Sequence, residues 1–183
     1  MKIETQTIKR LRDALLETGR RPSIVLSPAY EDLARQGLLS SSEADAVSKV
    51  DPIAETMFLM MAADGVITSE EVDIVWGAIR VLSDNALRTG TIKVMLELYG
   101  EQLKQDGWKK RLDAVAGLLA DRPRDAEVAF AMAAAVALAD EDVSLEENEL
   151  VNQLVEKFKI SDERCLEILD LVKQDDSPFR DED

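Results

Sequence analysis

Apolar residues recur with the period of an α-helix along almost the whole chain, and glycine and proline interrupt the pattern. Gly19, Gly37 and Gly65 fall at helix ends, where a left-handed residue commonly closes a helix. The predicted helices cover residues 8–16, 28–36, 40–49, 52–63 and 68–83, two segments between 87 and 120, and three helices that begin at Pro123, after Ser144 and near Ser161. The pattern predicts an all-α, single-domain bundle of about seven to nine helices.

The same pattern predicts which side of each helix is buried. The apolar run 128–139 is almost uninterrupted, so its helix should be the central one of the fold. Residues predicted to face the core are Ile53, Met57, Phe58, Met60 and Met61 before the first acidic turn, Val72, Val75, Trp76 and Ile79 after it, and Cys165, Leu166, Ile168, Leu169 and Val172 in the last helix.

The chain also contains an internal repeat. The segment 62–75, AADGVITSEEVDIV, recurs 76 residues later as LADEDVSLEENELV in 138–151. The identical pairs are Ala63 with Ala139, Asp64 with Asp140, Glu70 with Glu146, Glu71 with Glu147, and Val75 with Val151. This interval is longer than that of solenoid repeats, so we predict two helix-turn-helix halves of one domain, near 53–82 and 125–158. The domain spans 51–174, between an N-terminal helical extension, 1–50, and a disordered acidic tail, 175–183.

The repeated glutamates have a structural explanation. Thr68 and Ser144 each precede a Glu by three residues, which is the spacing of a capping box, so Glu71 and Glu147 would bind the cap residue's backbone. Glu70 and Glu146 would complement the helix dipole.

The repeated aspartates are harder to explain by capping. Asp64 and Asp140 follow apolar helices, where a carboxylate faces the negative end of the dipole. Two explanations remain open. Each Asp forms an Asx turn, or a divalent cation lies between the Asp and the Glu of the next helix. In the second case the ligands would be Asp64, Glu71, Asp140 and Glu147, with Glu70, Asp142 and Glu146 as weaker candidates.

Composition narrows the chemistry further. The chain has no histidine, so a metal site would use oxygen ligands and favour Ca²⁺, Mg²⁺ or Mn²⁺. A net charge of −15 argues against nucleic acid and favours a cation or a basic protein partner. The absence of histidine, of a phosphate loop and of a nucleophile motif predicts that the protein is not an enzyme.

Cellular location follows from similar arguments. The single cysteine, Cys165, excludes an internal disulfide. The opening residues contain no apolar run of signal-peptide length, and the longest apolar stretch, 128–139, is about half of what a bilayer crossing needs. We therefore expect a cytoplasmic protein without a transmembrane segment. A basic stretch at the N-terminus is either a solvated helix face or a contact with an anion or with a membrane surface; its residues are Lys9, Arg10, Arg12, Arg20 and Arg21.

The motif of an apolar helix, Ala-Asp-Gly, a hydrophobic residue and a Glu seven positions after the Asp resembles the TerB-like tellurite-resistance family. The resemblance covers roughly 52–172 and falls on Asp64, Gly65 and Glu71, then on Asp140 and Glu147. It departs from the pattern at Glu141, where the family prefers glycine. It implies an all-helical bundle of two halves whose acids bind a divalent metal, in a stress-response setting or as a domain of a DnaJ-like co-chaperone.

Two functions follow as alternatives. In one, the acidic turns bind a divalent cation, which fixes the surface shown to a protein partner. In the other, the bundle is a metal-free helical adaptor or co-chaperone-type domain that docks a basic partner through its acidic surface.

Overall fold

The computed structural model describes residues 5–15, 28–138 and 144–173. This part of the chain forms nine helices and no strand, which confirms the predicted all-α bundle. The helices are α1 (Thr5–Leu15), α2 (Pro28–Arg35), α3 (Ser41–Met61), α4 (Ser69–Leu82), α5 (Thr89–Asp106), α6 (Trp108–Leu119), α7 (Pro123–Ala137), α8 (Leu145–Phe158) and α9 (Asp162–Lys173).

Helices α3 and α7 form the centre of the bundle. They make the most extensive helix-helix contact, and α7 also packs against α1, α4, α6, α8 and α9. Nearly every residue of α7 from Ala126 to Ala137 is buried, as its apolar run predicts. Most of these side chains are alanines, which favour the helix and let the larger side chains of α3, such as Met57 and Met60, approach closely.

The two repeated halves become two helix pairs, α3 with α4 and α7 with α8. The members of each pair pack against each other, and the α3–α7 contact joins the halves. Between α5 and α6 the chain breaks at Gly107, which has a φ of 77° and is one of the predicted break points. None of the described helices is long and apolar enough to cross a membrane.

The prediction of separate helices on either side of Pro52 is wrong. Residues 41–61 form one continuous helix with Pro52 inside it. Proline removes one backbone donor and costs about 3 kcal/mol in a helix interior. Val47, Val50 and Ile53 are fully buried around this point, and each contributes about 1.5–3 kcal/mol. Their burial outweighs the cost of the proline.

One predicted core position in α9 is also wrong. Leu166 is 63% exposed, whereas Ile168 and Val172 are buried as predicted. The helical spacing of apolar residues does not show that α9 contacts the bundle through a narrow stripe, which leaves Leu166 exposed. Cys165 is only partly buried, and this burial, together with the nearby Asp162, raises the pKa of its thiol.

Candidate functional site

Glu71 and Glu147 both close capping boxes, which confirms the structural explanation for these two glutamates. Oε2 of Glu71 accepts hydrogen bonds from the backbone N–H and the hydroxyl of Thr68, each at 2.8 Å, and Glu71 N–H donates to Thr68 Oγ1. Oε2 of Glu147 accepts from the Ser144 N–H at 2.7 Å, and Glu147 N–H donates to Ser144 Oγ. Both glutamates are buried. One oxygen of each carboxylate therefore holds the start of a helix.

Asp64 forms the Asx turn that was one of the two explanations for it. Its Oδ1 accepts a hydrogen bond from the Val66 N–H at 2.8 Å, and Gly65 takes a φ of 80°, which glycine adopts at little cost. The Asp64 side chain is exposed, as are Glu70 and Glu146. The turn geometry explains this aspartate locally.

The second acidic turn is only partly described. Asp140 and Asp142, predicted as ligands, lie outside the described residues. Within residues 5–15, 28–138 and 144–173, no three Asp, Glu or Cys side chains come together in a group that could hold a metal ion. Metal binding by Asp64, Glu71, Asp140 and Glu147 stays a prediction.

A groove of about 950 Å³ runs between the first acidic turn and α8, and we call it the acidic groove. The end of α5 and the start of α6 complete its walls. Its apolar lining residues are Ala62, Ala63, Leu103, Trp108 and Leu150. The groove joins the two repeated halves, since Asp64 comes from the first and Glu146 from the second. The sequence does not predict this groove, because its walls come from three separate segments of the chain, 62–65, 103–109 and 146–157.

Carboxylates outnumber amines around this groove. Its acidic residues are Asp64, Glu146, Glu149 and Glu156, and its basic residues are Lys109 and Lys157. The Nζ of Lys157 already forms an ion pair with Asp113, which is not a groove residue. The four acids are exposed. The groove therefore combines an apolar lining with a negative edge.

Trp108 lines the groove with its ring, and its polar group is enclosed. The indole is partly buried, and its Nε1–H has no hydrogen-bond acceptor and no contact with solvent. An enclosed donor without an acceptor is costly, so this group destabilises the fold where it stands.

A second polar cluster lies between α2, α3, α5 and α6. The Tyr99 hydroxyl donates to Oδ1 of Asp51 at 2.7 Å, and burial raises the pKa of Asp51 to about 6. The hydroxyl of Tyr30 is buried beside both residues and close enough to Asp51 to lower the pKa of that carboxyl, but it forms no hydrogen bond of good geometry. Glu55 and Arg111 lie beside this group and form a two-point ion pair with distances of 2.7 and 2.9 Å.

The sequence does not predict this cluster either. Asp51 and Tyr99 are 48 residues apart in the chain, and the one available signal is an Asp directly before Pro52. No member of the cluster lines the acidic groove, although Tyr30 lines a smaller groove of about 370 Å³ between α2 and the start of α5. The burial of Asp51 bears on the stability of the fold.

A third capping box begins α3 and links it to α5. The Glu43 carboxylate is buried and accepts hydrogen bonds from the cap residue, Ser40. It also accepts hydrogen bonds from the Arg88 guanidinium at 2.7 and 2.8 Å and from the Thr91 hydroxyl at 2.6 Å. The Arg88 guanidinium, more than any other neighbour, lowers the pKa of Glu43. The arrangement fixes the α3 start against α5.

Comparison of the chain with protein-family models, with curated proteins and with solved structures finds no match. The TerB-like family thus remains a resemblance that rests on the motif residues alone.

Proposed function

We propose that this protein is a non-enzymatic helical interaction module that docks a basic partner protein through its acidic surface. The acidic groove supports the proposal. Glu71 and Glu147, the strongest glutamate candidates for metal binding, are engaged in capping boxes. Asp64, Glu146, Glu149 and Glu156 instead stay exposed beside an apolar lining, where a partner can reach them.

The charge of the whole chain acts in the same direction. At −15 it attracts a basic surface over a distance of about one Debye length, roughly 10 Å at 0.1 M salt. Charge of this kind raises the association rate and makes the surface selective for basic partners. The apolar lining contributes to affinity because it is removed from water on binding.

Divalent-cation binding stays a prediction that rests on the repeated aspartates and on the resemblance. TerB-like membership and a role in stress response are predictions from the resemblance alone. Calorimetry distinguishes the metal-free adaptor from the cation-dependent module. Chelator-stripped protein would be titrated with Ca²⁺, Mg²⁺ and Mn²⁺ beside an Asp64→Asn, Asp140→Asn double variant. The metal-free adaptor predicts no saturable heat. Saturable binding that the double variant loses would contradict it and favour the cation-dependent module.

The interaction itself is tested by selecting displayed random 16-residue peptides on the immobilised protein. We expect the enriched peptides to carry a net positive charge and to bind more weakly as salt is raised, because salt screens exposed charges. Enrichment of neutral or acidic peptides, or affinity that does not change with salt, would contradict docking through the acidic surface.

A further inference from the structure

From the groove geometry we infer that the partner segment is an amphipathic helix with basic flanks, which lies along α8 in the acidic groove. This inference rests on the proposed function and adds the site and the form of the partner. The groove residues of α8 include Glu146, Glu149, Gln153 and Glu156. Residues spaced by three and four positions lie on one face of a helix, so α8 turns a single face toward the groove.

The length of that face suits a docked helix. From Glu146 to Glu156 the face extends for roughly 15 Å at about 1.5 Å per residue. A docked helix of about three turns would match this length at about 5.4 Å per turn. Lys or Arg side chains at the same spacing would meet the α8 carboxylates in register.

Other modes of peptide recognition do not suit this surface. Strand addition needs a free sheet edge, and the described helices offer none. Recognition of phosphorylated or acidic motifs uses clustered arginines, whereas this groove has an excess of carboxylates. Polyproline segments dock on grooves lined with several aromatic rings, and Trp108 is the single aromatic residue in this lining. The mode that suits this surface is an amphipathic helix docked in an apolar groove.

Two exposed apolar side chains are next in sequence to residues of the groove. Val66 follows the groove residue Gly65 and is 63% exposed, and Leu145 precedes Glu146 and is 84% exposed. Val66 lies in the turn after α3, and Leu145 is the first residue of α8. Ala63 and Leu103, which are partly buried in the lining, present apolar contacts to the inner face of a docked helix.

The repeat supplies a matched pair of variants. Glu146→Lys with Glu149→Lys reverses two charges on the groove face of α8. Glu70→Lys with Asp73→Lys makes the same change in net charge at the equivalent positions of α4, outside the groove. Both pairs lie near a helix start, so the cost from the helix dipole is similar. Circular dichroism would verify that each variant folds.

The peptides selected on the native protein would be titrated against both variants by calorimetry. We expect the α8 variant to bind at least about tenfold more weakly and the α4 variant to stay within about threefold of the native protein. We also expect the selected sequences to repeat apolar residues at helical spacing. Ala63→Leu, which fills the groove without a change of charge, should weaken binding at least about threefold.

The outcomes separate this inference from the proposed function. Equal losses in the α4 and α8 variants would overturn the groove as the site but leave docking of a basic partner in place. Unchanged binding to Ala63→Leu or selected peptides without helical spacing would overturn the docked helix. Failure to enrich any basic peptide would overturn both proposals.

Discussion

Replacing Asp51 by Asn is expected to stabilise the protein at neutral pH, and less so in acid. The carboxylate receives the Tyr99 hydroxyl bond, but burial and the nearby Glu55 disfavour its charged form, so its pKa rises from an ordinary 3.8 to about 6. Arg111 acts in the opposite direction without cancelling this effect. Asn keeps an oxygen that accepts the Tyr99 bond and carries no charge.

The sign and size follow from proton linkage. A carboxyl with a raised folded-state pKa stabilises the fold most at low pH, and this contribution is lost as pH rises through about 4 to 6. A rise of about two pKa units corresponds to roughly 3 kcal/mol. Because Asp51 keeps some contact with solvent, we expect somewhat less than this full effect. The free energy of unfolding of the Asn variant, relative to that of the native protein, should therefore rise by about 2–3 kcal/mol from pH 4 to pH 8.

Urea unfolding followed by circular dichroism would measure this difference at several pH values. Asp73→Asn is the matched control for replacing an acid by its amide, because Asp73 is an exposed acid on α4. A flat difference for Asp51→Asn, or one that grows toward low pH, would refute the assignment of a disfavoured charge at this position.

Three further predictions concern stability, and urea unfolding measures each of them. Tyr99→Phe should cost about 1–2 kcal/mol because it removes the donor to a carboxylate. Tyr30→Phe should cost less, because the Tyr30 hydroxyl lies near Asp51 without a hydrogen bond of good geometry; equal costs would contradict this. Glu43→Gln should cost about 1–2 kcal/mol at pH 7. Because the folded-state pKa of Glu43 is lowered, this difference should shrink progressively as pH falls below about 4.5, and a difference of the same size at pH 5 and at pH 2 would contradict the charge pairing. Thr68→Ala and Ser144→Ala should each cost about 1 kcal/mol, and no loss in either would show that the capping bonds do not stabilise its helix.

Local features of the fold could be predicted from the sequence. The capping boxes at Thr68 and Ser144 and the turn at Gly65 depend on residues within four positions of one another, so the spacing contains the needed information. The burial of α7 follows from its composition alone.

Features that depend on tertiary packing could not be predicted. Proline at position 52 argues locally for a helix start, and only the core on both sides of it keeps α3 continuous. Leu166 fits a helical stripe, but the partners of α9 decide which part of that stripe is covered. The acidic groove forms where α5, α6 and α8 come together beside the turn after α3. No local sequence pattern indicates that these elements are neighbours.

The most direct test of the central claim uses the two tryptophans of the chain, Trp76 and Trp108. Their indole N–H groups give two cross-peaks in a ¹H–¹⁵N correlation spectrum, and Trp76→Phe assigns them. Trp108 lines the acidic groove, whereas Trp76 lies on α4. Titration with a selected basic peptide should move the Trp108 indole peak and leave that of Trp76 in place. Movement of Trp76 alone, or of neither peak at saturating peptide, would contradict docking in the acidic groove.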